Sequence, residues 1–537
     1  MTFRKFALAT TALTMIGAGA WADDNTVRID QLGAGNVADI DQSEASFSYA
    51  GRDDYTTQRL DTLTMQQVGD DNMLSITQFG DRNYVGALSR NNGGDGSGVK
   101  QRGDKNEATI TQDGVRNLVN SLTQDSDAGA TAAQNTLTIE QTGVSRSHPL
   151  KNNGGLEDGA DNYITGIAQI NNGGATSAAN DMQVTQTRDT AMKQFRANAI
   201  GRGGVGGNFG NDASHANVAL KQEGAGNEMI VSQSGEENVI YDTRNSDVEL
   251  LQLGNGNEMN VSQSGKENRI YTVSQNSTAG TTGNTANVSQ SGERNGAAGL
   301  NKTFAGGVGA TRSSVLQTGG GNVVNYSATG NDNQFGFTQI GNSNTVNQVT
   351  IVGNGNETAA YQQGDFNSAS IAPIVGDGND VGISQTGGNF NAATVQLTNG
   401  SDDNSIGISQ TGNINGATVT ADGDRNYVEV VQIGSNPSGV LMNIIGNDNG
   451  GGTFMGMATS GLGLASGLIK QDGFDNVFEG QIIGSDNQFA ALQQGNDNEI
   501  QADVFGDGNE YAVSQIGNGN LSFIMQNGSG NVAGVSQ

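Results

Sequence analysis

Apolar and polar residues alternate along most of this chain in short runs, and the runs are separated by glycine-containing segments. Residues 498–504 show the pattern, because alternate positions place Asn498, Ile500, Ala502 and Val504 on one face. The opposite positions of this run are the polar Glu499, Gln501 and Asp503. An alternation with a period of two is typical of a β-strand that has one face inward. The chain is therefore predicted to consist of many short strands.

A turn motif, Gln-x-Gly-x-x-Asn, separates these predicted strands. The glycine supplies the backbone freedom that a tight corner needs. The strict motif begins 18 times, at Gln31, Gln67, Gln78, Gln101, Gln112, Gln222, Gln233, Gln252, Gln263, Gln290, Gln317, Gln339, Gln362, Gln410, Gln471, Gln493, Gln515 and Gln526. Seven further copies have an apolar residue in place of the glutamine, at Ala328, Ile351, Ile374, Ala421, Ile444, Ile482 and Val504.

The spacing of the motif indicates a stacked architecture. Near the end of the chain the predicted corner glycines recur with a constant period of 11, at Gly473, Gly484, Gly495, Gly506, Gly517 and Gly528. Strict and apolar copies alternate there and in residues 317–385, so the structural unit is about 22 residues. We predict an all-β, amyloid-like, two-sheet β-solenoid with loop insertions. Each rung contains two strands and two corners and rises about 4.8 Å.

The inward asparagines and glutamines are predicted to form ladders along the solenoid. A buried amide without a partner costs about 1–3 kcal/mol. In-register stacking removes this cost, because each amide donates to the amide in the rung on one side and accepts from the amide in the rung on the other side. The predicted ladder residues are Gln31, Asn36, Gln67, Asn72, Gln78, Asn83, Gln233, Asn238, Gln263, Asn268, Gln339, Asn344, Gln493, Asn498, Gln515, Asn520, Gln526 and Asn531.

The regularity of the motif divides the chain into segments. Residues 23–62 contain the first repeat, and residues 63–117, 216–448 and 469–537 carry regular repeats. Residues 118–215 are irregular and rich in Gly and Asn, and residues 449–468 form a Gly/Met-rich insertion. The insertions are expected to leave from corners and not to form separate domains.

Residues 1–22 have the features of a cleaved signal peptide. Arg4 and Lys5 precede a short apolar stretch, and an A-x-A site ends at Ala22. No other stretch approaches the roughly 20 apolar residues that span a membrane. Cleavage after Ala22 would remove two positive charges and change the net charge from -29 to -31. The chain is therefore expected to be exported without a membrane span.

Composition and charge exclude several classes of function. Hydrophobic residues make up 34%, below the roughly 45–50% of ordinary globular domains. The net charge of -29 argues against nucleic-acid binding. Cysteine is absent, and the two histidines, His148 and His215, lie in irregular segments. No catalytic residue, metal site or cofactor is predicted. Residues 376–380 resemble one calcium-binding nonapeptide unit, but the repeat in this chain has a period of 11 residues, whereas such units repeat every nine residues.

The pattern Asn-x5-Gln-x-Gly-x-x-Asn resembles the curlin repeat, most densely in residues 63–117, 222–295, 317–385 and 471–537. The resemblance implies a secreted subunit of curli, the extracellular functional amyloid fibre (pilus or fimbria) of Gram-negative bacteria. It implies self-assembly into a homopolymer, a nucleator subunit, an outer-membrane secretion pore, and adhesion to host or abiotic surfaces in a biofilm. This chain has more repeats than a usual curlin, and it has long insertions.

Two other functions are left open. The chain is also compatible with a monomeric secreted β-solenoid adhesin, including an ice-binding protein, or with a calcium-binding repeat protein. Neither end shows a capping helix, so the terminal strand edges are expected to template the addition of another chain. Assembly into fibres therefore separates the first interpretation from the others.

Overall fold

The structure is a computed structural model of the 537-residue chain. It describes residues 25–27, 29–46, 48–50, 65–86, 98–115, 117–119, 121–127, 129–143, 162–164, 166–174, 176–188, 198–201, 218–240, 249–278, 280–309, 312–398 and 400–537. The predicted signal peptide with its cleavage site at Ala22, His148 and His215 lie outside the described residues.

The predicted β-solenoid is confirmed. Two long sheets of parallel strands face each other, and the chain passes from one sheet to the other at each corner. Eighteen strands form sheet 1 and eighteen form sheet 2, where two short strands share one level. In the last rungs, paired residues such as Gln493 and Gln515 lie 22 positions apart. This separation confirms the predicted length of the structural unit.

The strands have the following bounds. Sheet 1 contains Ile29–Leu32, Met65–Val68, Val99–Arg102, Leu122–Ser126, Ile167–Asn171, Leu220–Glu223, Leu250–Leu253, Thr272–Asn276, Ser314–Thr318, Gln334–Ile340, Glu357–Gln363, Asp380–Thr386, Ser405–Gly412, Tyr427–Ser435, Leu468–Phe474, Gln488–Gln494, Glu510–Ile516 and Val532–Ser536. Sheet 2 contains Val37–Asp41, Met73–Gln78, Asn106–Asp113, Asn135–Thr142, Asn180–Thr187, Glu228–Glu236, Glu258–Lys266, Thr285–Glu293, Val323–Thr329, Thr345–Val352, Ser368–Ile371, Ile374–Val375, Ala392–Leu397, Gly416–Asp422, Val440–Ile445, Val477–Ile483, Glu499–Phe505 and Leu521–Asn527.

A third sheet of short strands extends sheet 1 in the first half of the chain. It contains Thr26–Val27, Tyr49–Ala50, Tyr84–Val85, Asn117–Val119, Asn162–Ile164, Asn198–Ile200, Val239–Ile240 and Arg269–Ile270. In the regular rungs one strand covers the whole distance from the ladder asparagine to the ladder glutamine. In the first half that strand is interrupted, so its beginning and its end pair in separate sheets. The two-sheet prediction did not include this division.

The remaining elements are short. Ala45–Ser46 pairs with Gly80–Asp81, Gly306–Val308 is a 3-10 helix, and Met457–Ser460 is a single turn of α-helix. None of the described helices is long and apolar enough to cross a membrane.

The core lies between the two long sheets as one continuous column. The alternate positions predicted to face inward are buried, and one cluster of buried apolar side chains extends from Ala50 to Ile524. Its side chains are mostly Val, Ile, Ala and Met, with aromatic rings such as Phe335 and Phe489. The small cross-section explains how a chain with few hydrophobic residues fills a core, because each rung needs only a few apolar side chains.

Two of the insertions lie against the outer face of sheet 1. We call residues 296–309 the first strap and residues 450–467 the second strap. Each leaves the solenoid directly after a ladder asparagine, Asn295 or Asn449, and returns within the span of the same sheet 1 strand. Each strap therefore leaves where a corner ends, and it returns inside the sheet 1 strand and not at a corner. An excursion from a strand places the strap over the neighbouring strands of the same face.

Candidate functional site

One glutamine ladder runs through every strand level of sheet 1. In each step the side-chain Nε2 donates to the Oε1 of the next rung, over 2.6–3.3 Å. The ladder consists of Gln31, Gln67, Gln101, Gln124, Gln169, Gln222, Gln252, Gln275, Gln317, Gln339, Gln362, Gln385, Gln410, Gln432, Gln471, Gln493, Gln515 and Gln537. Most Nε2 groups also donate to a backbone carbonyl, such as Gln493 to Val477 O at 2.9 Å.

A second glutamine ladder occupies only the first half of sheet 2. It contains Gln42, Gln78, Gln112, Gln141, Gln186, Gln233, Gln263 and Gln290. From Ala328 to Val504 the equivalent positions are apolar and buried. Gln526 returns a glutamine to this position. It donates to the carbonyl of Glu510 and not to another glutamine, and its buried Oε1 has no partner in the described residues.

The asparagines form two further ladders, one at each corner. The Oδ1 of each asparagine accepts from the backbone N–H of the asparagine in the next rung and, in nearly every step, also from the Nδ2 of that asparagine. Asn476, for example, accepts from the backbone N–H of Asn498 at 3.2 Å and from its Nδ2 at 3.0 Å. The Nδ2 of Asn498 also donates to the carbonyl of Gly517 in the following rung at 2.9 Å. Of the predicted residues, Asn36, Asn72, Asn344, Asn498 and Asn520 lie at one corner, and Asn83, Asn238, Asn268 and Asn531 lie at the other.

The ladders give the solenoid a direction. Glutamine amides donate to the glutamine of the following rung, whereas asparagine amides donate to the asparagine of the preceding rung. Every ladder amide is almost completely buried except in the rungs at the two ends. Because buried polar groups need partners, the asparagine ladders and the sheet 1 glutamine ladder require each neighbouring rung to have its amides at the same positions.

The corner glycines are required for two reasons. Gly473, Gly484, Gly495 and Gly506 have φ between 117° and 138°, where a side chain is strained. A Cβ at any of these four would lie only 1.9–2.2 Å from the carbonyl oxygen of the glycine one rung further on. Gly517 and Gly528 share the positive φ but meet no such carbonyl. The rungs therefore stack more closely than a Cβ allows.

Several ladder residues were missed from the sequence because insertions break the turn motif. They include Gln124, Asn135, Gln141, Asn162, Gln169, Asn180, Gln186 and Asn198, all of which are buried in the ladders. The region 118–215 therefore contains regular rungs where the sequence indicated irregular ones. The strand half of the repeat, Asn-x5-Gln, survives at Asn135–Gln141 and Asn180–Gln186. A search for that half would have found these two rungs.

The straps are held to sheet 1 by carboxylates that point outward. Glu357 accepts from the backbone N–H groups of residues 301 and 302, and Asp380 accepts from those of residues 304 and 305, at 2.7–2.8 Å. Glu510 accepts from the N–H groups of residues 455 and 456 and from the Thr459 hydroxyl. Burial raises the pKa of Asp380, and these hydrogen bonds oppose the rise. Burial would also raise the pKa of Glu510, but the hydrogen bonds outweigh it and hold this pKa below its usual value.

The outer face of sheet 2 has a row of amide side chains near the middle of the solenoid. Asn260, Asn287 and Asn325 form a short external ladder with bonds of 2.8 Å. They line a shallow trough of about 370 Å³ together with serines such as Ser262 and Ser289. The lining has no carboxylate, imidazole or amine that could transfer a proton. Within the described segments, no cluster of three or more His, Asp or Glu side chains could hold a metal ion.

Comparison with known families agrees with this geometry. The family model described as the curlin associated repeat matches residues 69–114, 353–387 and 401–434. A search of curated proteins gives no match to the chain. The matched segments cover strands and corners of both long sheets, and repeats of this kind are structural rather than enzymatic. The repeat matches and the stacked-strand solenoid identify the chain as a curlin-repeat protein.

Proposed function

We propose that the chain is a secreted structural subunit of curli-type extracellular amyloid fibres. Copies of the chain add to one another at strand edges, and the fibre serves adhesion and the biofilm matrix on the surface of a Gram-negative-type bacterium. The observation that carries the proposal is the glutamine ladder of sheet 1, which is uninterrupted through every strand level. A repeat lattice of this kind accepts a further rung from another copy as readily as from the same chain.

The rungs at the C-terminal end of the solenoid support this proposal. Leu521–Asn527 and Val532–Ser536 each pair with a neighbouring strand on one side only within the described solenoid. Such edges present unpaired N–H and C=O groups to another strand. In the direction of the ladders, the Nε2 of Gln526 would donate to the Oε1 of a glutamine at this position in a rung stacked on this edge.

The secretion route is part of the same proposal. The signal-like segment at residues 1–22 supports export, and curlin-type subunits imply a secretion pore and a nucleator subunit as partners. Low hydrophobicity, absent cysteine and strong negative charge favour a soluble unfolded state during transit. Folding would then begin outside the cell on an existing strand edge.

Assembly of the purified chain from residue 23 tests the proposal. We expect a lag, growth of dye-binding fibres, and a diffraction reflection near about 4.7–4.8 Å along the fibre axis. Protein that remains monomeric for days at high concentration would contradict it and favour a monomeric solenoid adhesin.

A single substitution makes the test specific for edge addition. A Cβ at Gly528 meets no rung within the chain, whereas the equivalent Gly506 faces the carbonyl of Gly528 at 2.2 Å. Gly528→Ala should therefore leave the chain folded but slow its elongation on preformed fibres. Gly530→Asn alters the same corner at a position with φ of 73° and open space, so it should elongate normally. Equal elongation by both variants would refute stacking at this edge.

A further inference from the structure

The two straps dock on the outer face of sheet 1 with the same geometry. In each strap, two consecutive backbone N–H groups donate to one carboxylate, which is Glu357 under the first strap and Glu510 under the second. Two residues further on, each strap places a backbone carbonyl directly over a glycine of the following rung. A Cβ on that glycine would lie 2.4 Å from the oxygen of Phe304 or 2.0 Å from that of Ala458. Phe304 and Ala458 therefore hold equivalent positions in the two straps.

The first strap continues over two further rungs. Asp380, one rung after Glu357, accepts from two more of its backbone N–H groups. The ring of Phe304 covers Gly407 in the next rung, where a Cβ would lie 2.2 Å from a ring carbon. The same ring packs against that of Tyr427, another rung further on, with centroids 5.2 Å apart. The docked strap therefore contacts four successive levels of sheet 1.

The second strap contacts only the first two of these levels, because the described solenoid ends there. Val532–Ser536 is the last described strand of sheet 1, and its Gly534 lies under the strap carbonyl. The position that Asp380 occupies under the first strap is taken here by Val532, whose side chain is 46% accessible. Val532 cannot accept a hydrogen bond from the strap. The outer part of the second strap therefore lacks the surface on which the first strap docks.

The second strap also carries the two most exposed of the large hydrophobic side chains that the structure describes. Met455 and Met457 are 87% and 91% accessible. The helical turn Met457–Ser460 packs against the last two described strands of sheet 1, so both methionines lie beside the open strand edge. Methionine side chains are flexible and adapt to irregular apolar surfaces. Exposed apolar groups beside an unpaired strand edge indicate a contact surface.

The first described rungs continue the column of positions on which the straps dock. In this column each residue directly follows a ladder asparagine. At the N-terminal end Asn25 and Ser48 occupy the asparagine ladder, because Asn25 accepts from the N–H of Ser48, and Ser48 accepts from that of Asn83. The column there begins with residue 26 and Tyr49. Tyr49 is followed by Tyr84, and their rings stack with centroids 5.3 Å apart.

Head-to-tail stacking of a second copy would place a tyrosine where the first strap uses one. The glutamines of sheet 1 donate to the following rung, so the N-terminal rung of a new copy stacks on the C-terminal rung of the previous copy. The column under the first strap consists of Glu357, Asp380, Ser405 and Tyr427. The column under the second strap would consist of Glu510 and Val532, followed by residue 26 and Tyr49 of the next copy. The fourth level carries tyrosine in both columns.

We propose that the second strap clasps the joint between successive copies of this chain. It is anchored on Glu510 of its own copy, and its exposed methionines pack against the N-terminal rungs of the next copy beside Tyr49. This inference rests on the proposed fibre function and assigns to it a contact outside the ladders. Methionine sulfur makes favourable contacts with aromatic rings, so the clasp adds side-chain burial to a joint that otherwise depends on strand pairing and ladder amides.

Cross-linking in fibres of the full chain from residue 23 tests the clasp. The chain has no cysteine, so Ala458→Cys in one preparation and Tyr49→Cys in another leave one thiol per copy. Fibres grown from an equal mixture and treated with a short bismaleimide should yield covalent dimers. Phe304→Cys/Tyr427→Cys is the matched control, because the equivalent pair should link within one soluble chain. Fibres of Ala458→Cys alone should yield no dimers.

A second variant measures what the clasp contributes to the joint. Met455→Ser/Met457→Ser changes side chains that are exposed in the single chain, so the urea midpoint of the soluble protein should not change. The concentration of free chain in equilibrium with fibres should rise about tenfold, because the methionines lose their buried contact. Met525→Ser removes a methionine, 78% accessible, from the outer face of sheet 2 at the same end, and it should leave this concentration nearly unchanged.

The results distinguish failure of the clasp from failure of the proposed function. Wild-type chains that form no fibres overturn both. Fibres whose mixture yields no dimers, although the intrachain control links, overturn the clasp alone. Dimers from Ala458→Cys fibres by themselves assign the strap to lateral contact and also overturn it, as do equal effects of the serine variants at both sites. If Tyr49→Cys does not enter fibres, the serine variants decide by the same criterion.

Discussion

The glutamine ladder makes a quantitative prediction at Gln493. This side chain is fully buried, accepts from Gln471 at 2.9 Å, and donates to Gln515 at 3.3 Å and to the Val477 carbonyl at 2.9 Å. Gln493→Leu preserves most of the volume but removes three hydrogen bonds, each contributing about 1 kcal/mol net. It also leaves the buried Oε1 of Gln515 without a donor. We expect the free energy of unfolding of the C-terminal rungs to fall by about 3–4 kcal/mol.

Two matched variants isolate the contribution of the ladder. Gln526→Leu removes one bond, to the Glu510 carbonyl at 3.0 Å, and also removes an unpartnered oxygen, so its cost should stay within about 1 kcal/mol. Gln501→Ala changes an outer side chain bonded only to Glu499 and should be neutral within about 0.5 kcal/mol. Urea denaturation, monitored by hydrogen exchange of residues 468–516, measures the free energy of unfolding of all three variants. Equal losses for Gln493→Leu and Gln526→Leu would refute the ladder argument.

Further predictions concern the corners, the straps and charge. Gly495→Ala places a Cβ 2.0 Å from a carbonyl and should destabilise the chain far more than Gly517→Ala, which has the same backbone strain without the collision; thermal unfolding compares them. Ile414→Gly should raise the free energy of unfolding by about 1 kcal/mol, because it relieves a φ of 54°; no gain in urea denaturation would contradict this. Since the pKa of Glu510 lies below its usual value, its contribution is complete above about pH 4.3 and is lost as the pH falls through the folded-state pKa. Hydrogen-exchange protection of the second strap, taken relative to the intrinsic exchange rate at each pH, should therefore fall in acid, and Glu510→Gln should remove that dependence. Salt should shorten the lag of fibre assembly by screening the negative charge. An unchanged lag in low and high salt would show that charge repulsion does not limit the rate of assembly.

The repeat itself could be read from the sequence with few errors. The parity of residues 498–504 predicts the buried face, and the period of 11, with its alternation of strict and apolar copies, predicts two strands per rung. These features are local, because a strand exposes alternate residues to opposite faces whatever surrounds it. The same locality explains why the spacing in residues 118–215 predicts irregular repeats. Insertions between the ladder residues destroyed the spacing, although stacking restored Asn135 and Gln141 to the column.

The features that depend on contact between rungs are visible only in the tertiary structure. The sequence indicated a flexible corner at Gly495, but only the stack places the Gly517 carbonyl 2.0 Å from a Cβ at that position. Strap docking on Glu357, Asp380 and Glu510 likewise joins groups that lie far apart along the chain. The sequence by itself determined the strands, their inner faces and the repeat, because these follow from side-chain alternation. The direction of the ladders, the continuity of the sheet 1 glutamines and the docking of the straps follow from how separate rungs meet, which short-range periodicity does not contain.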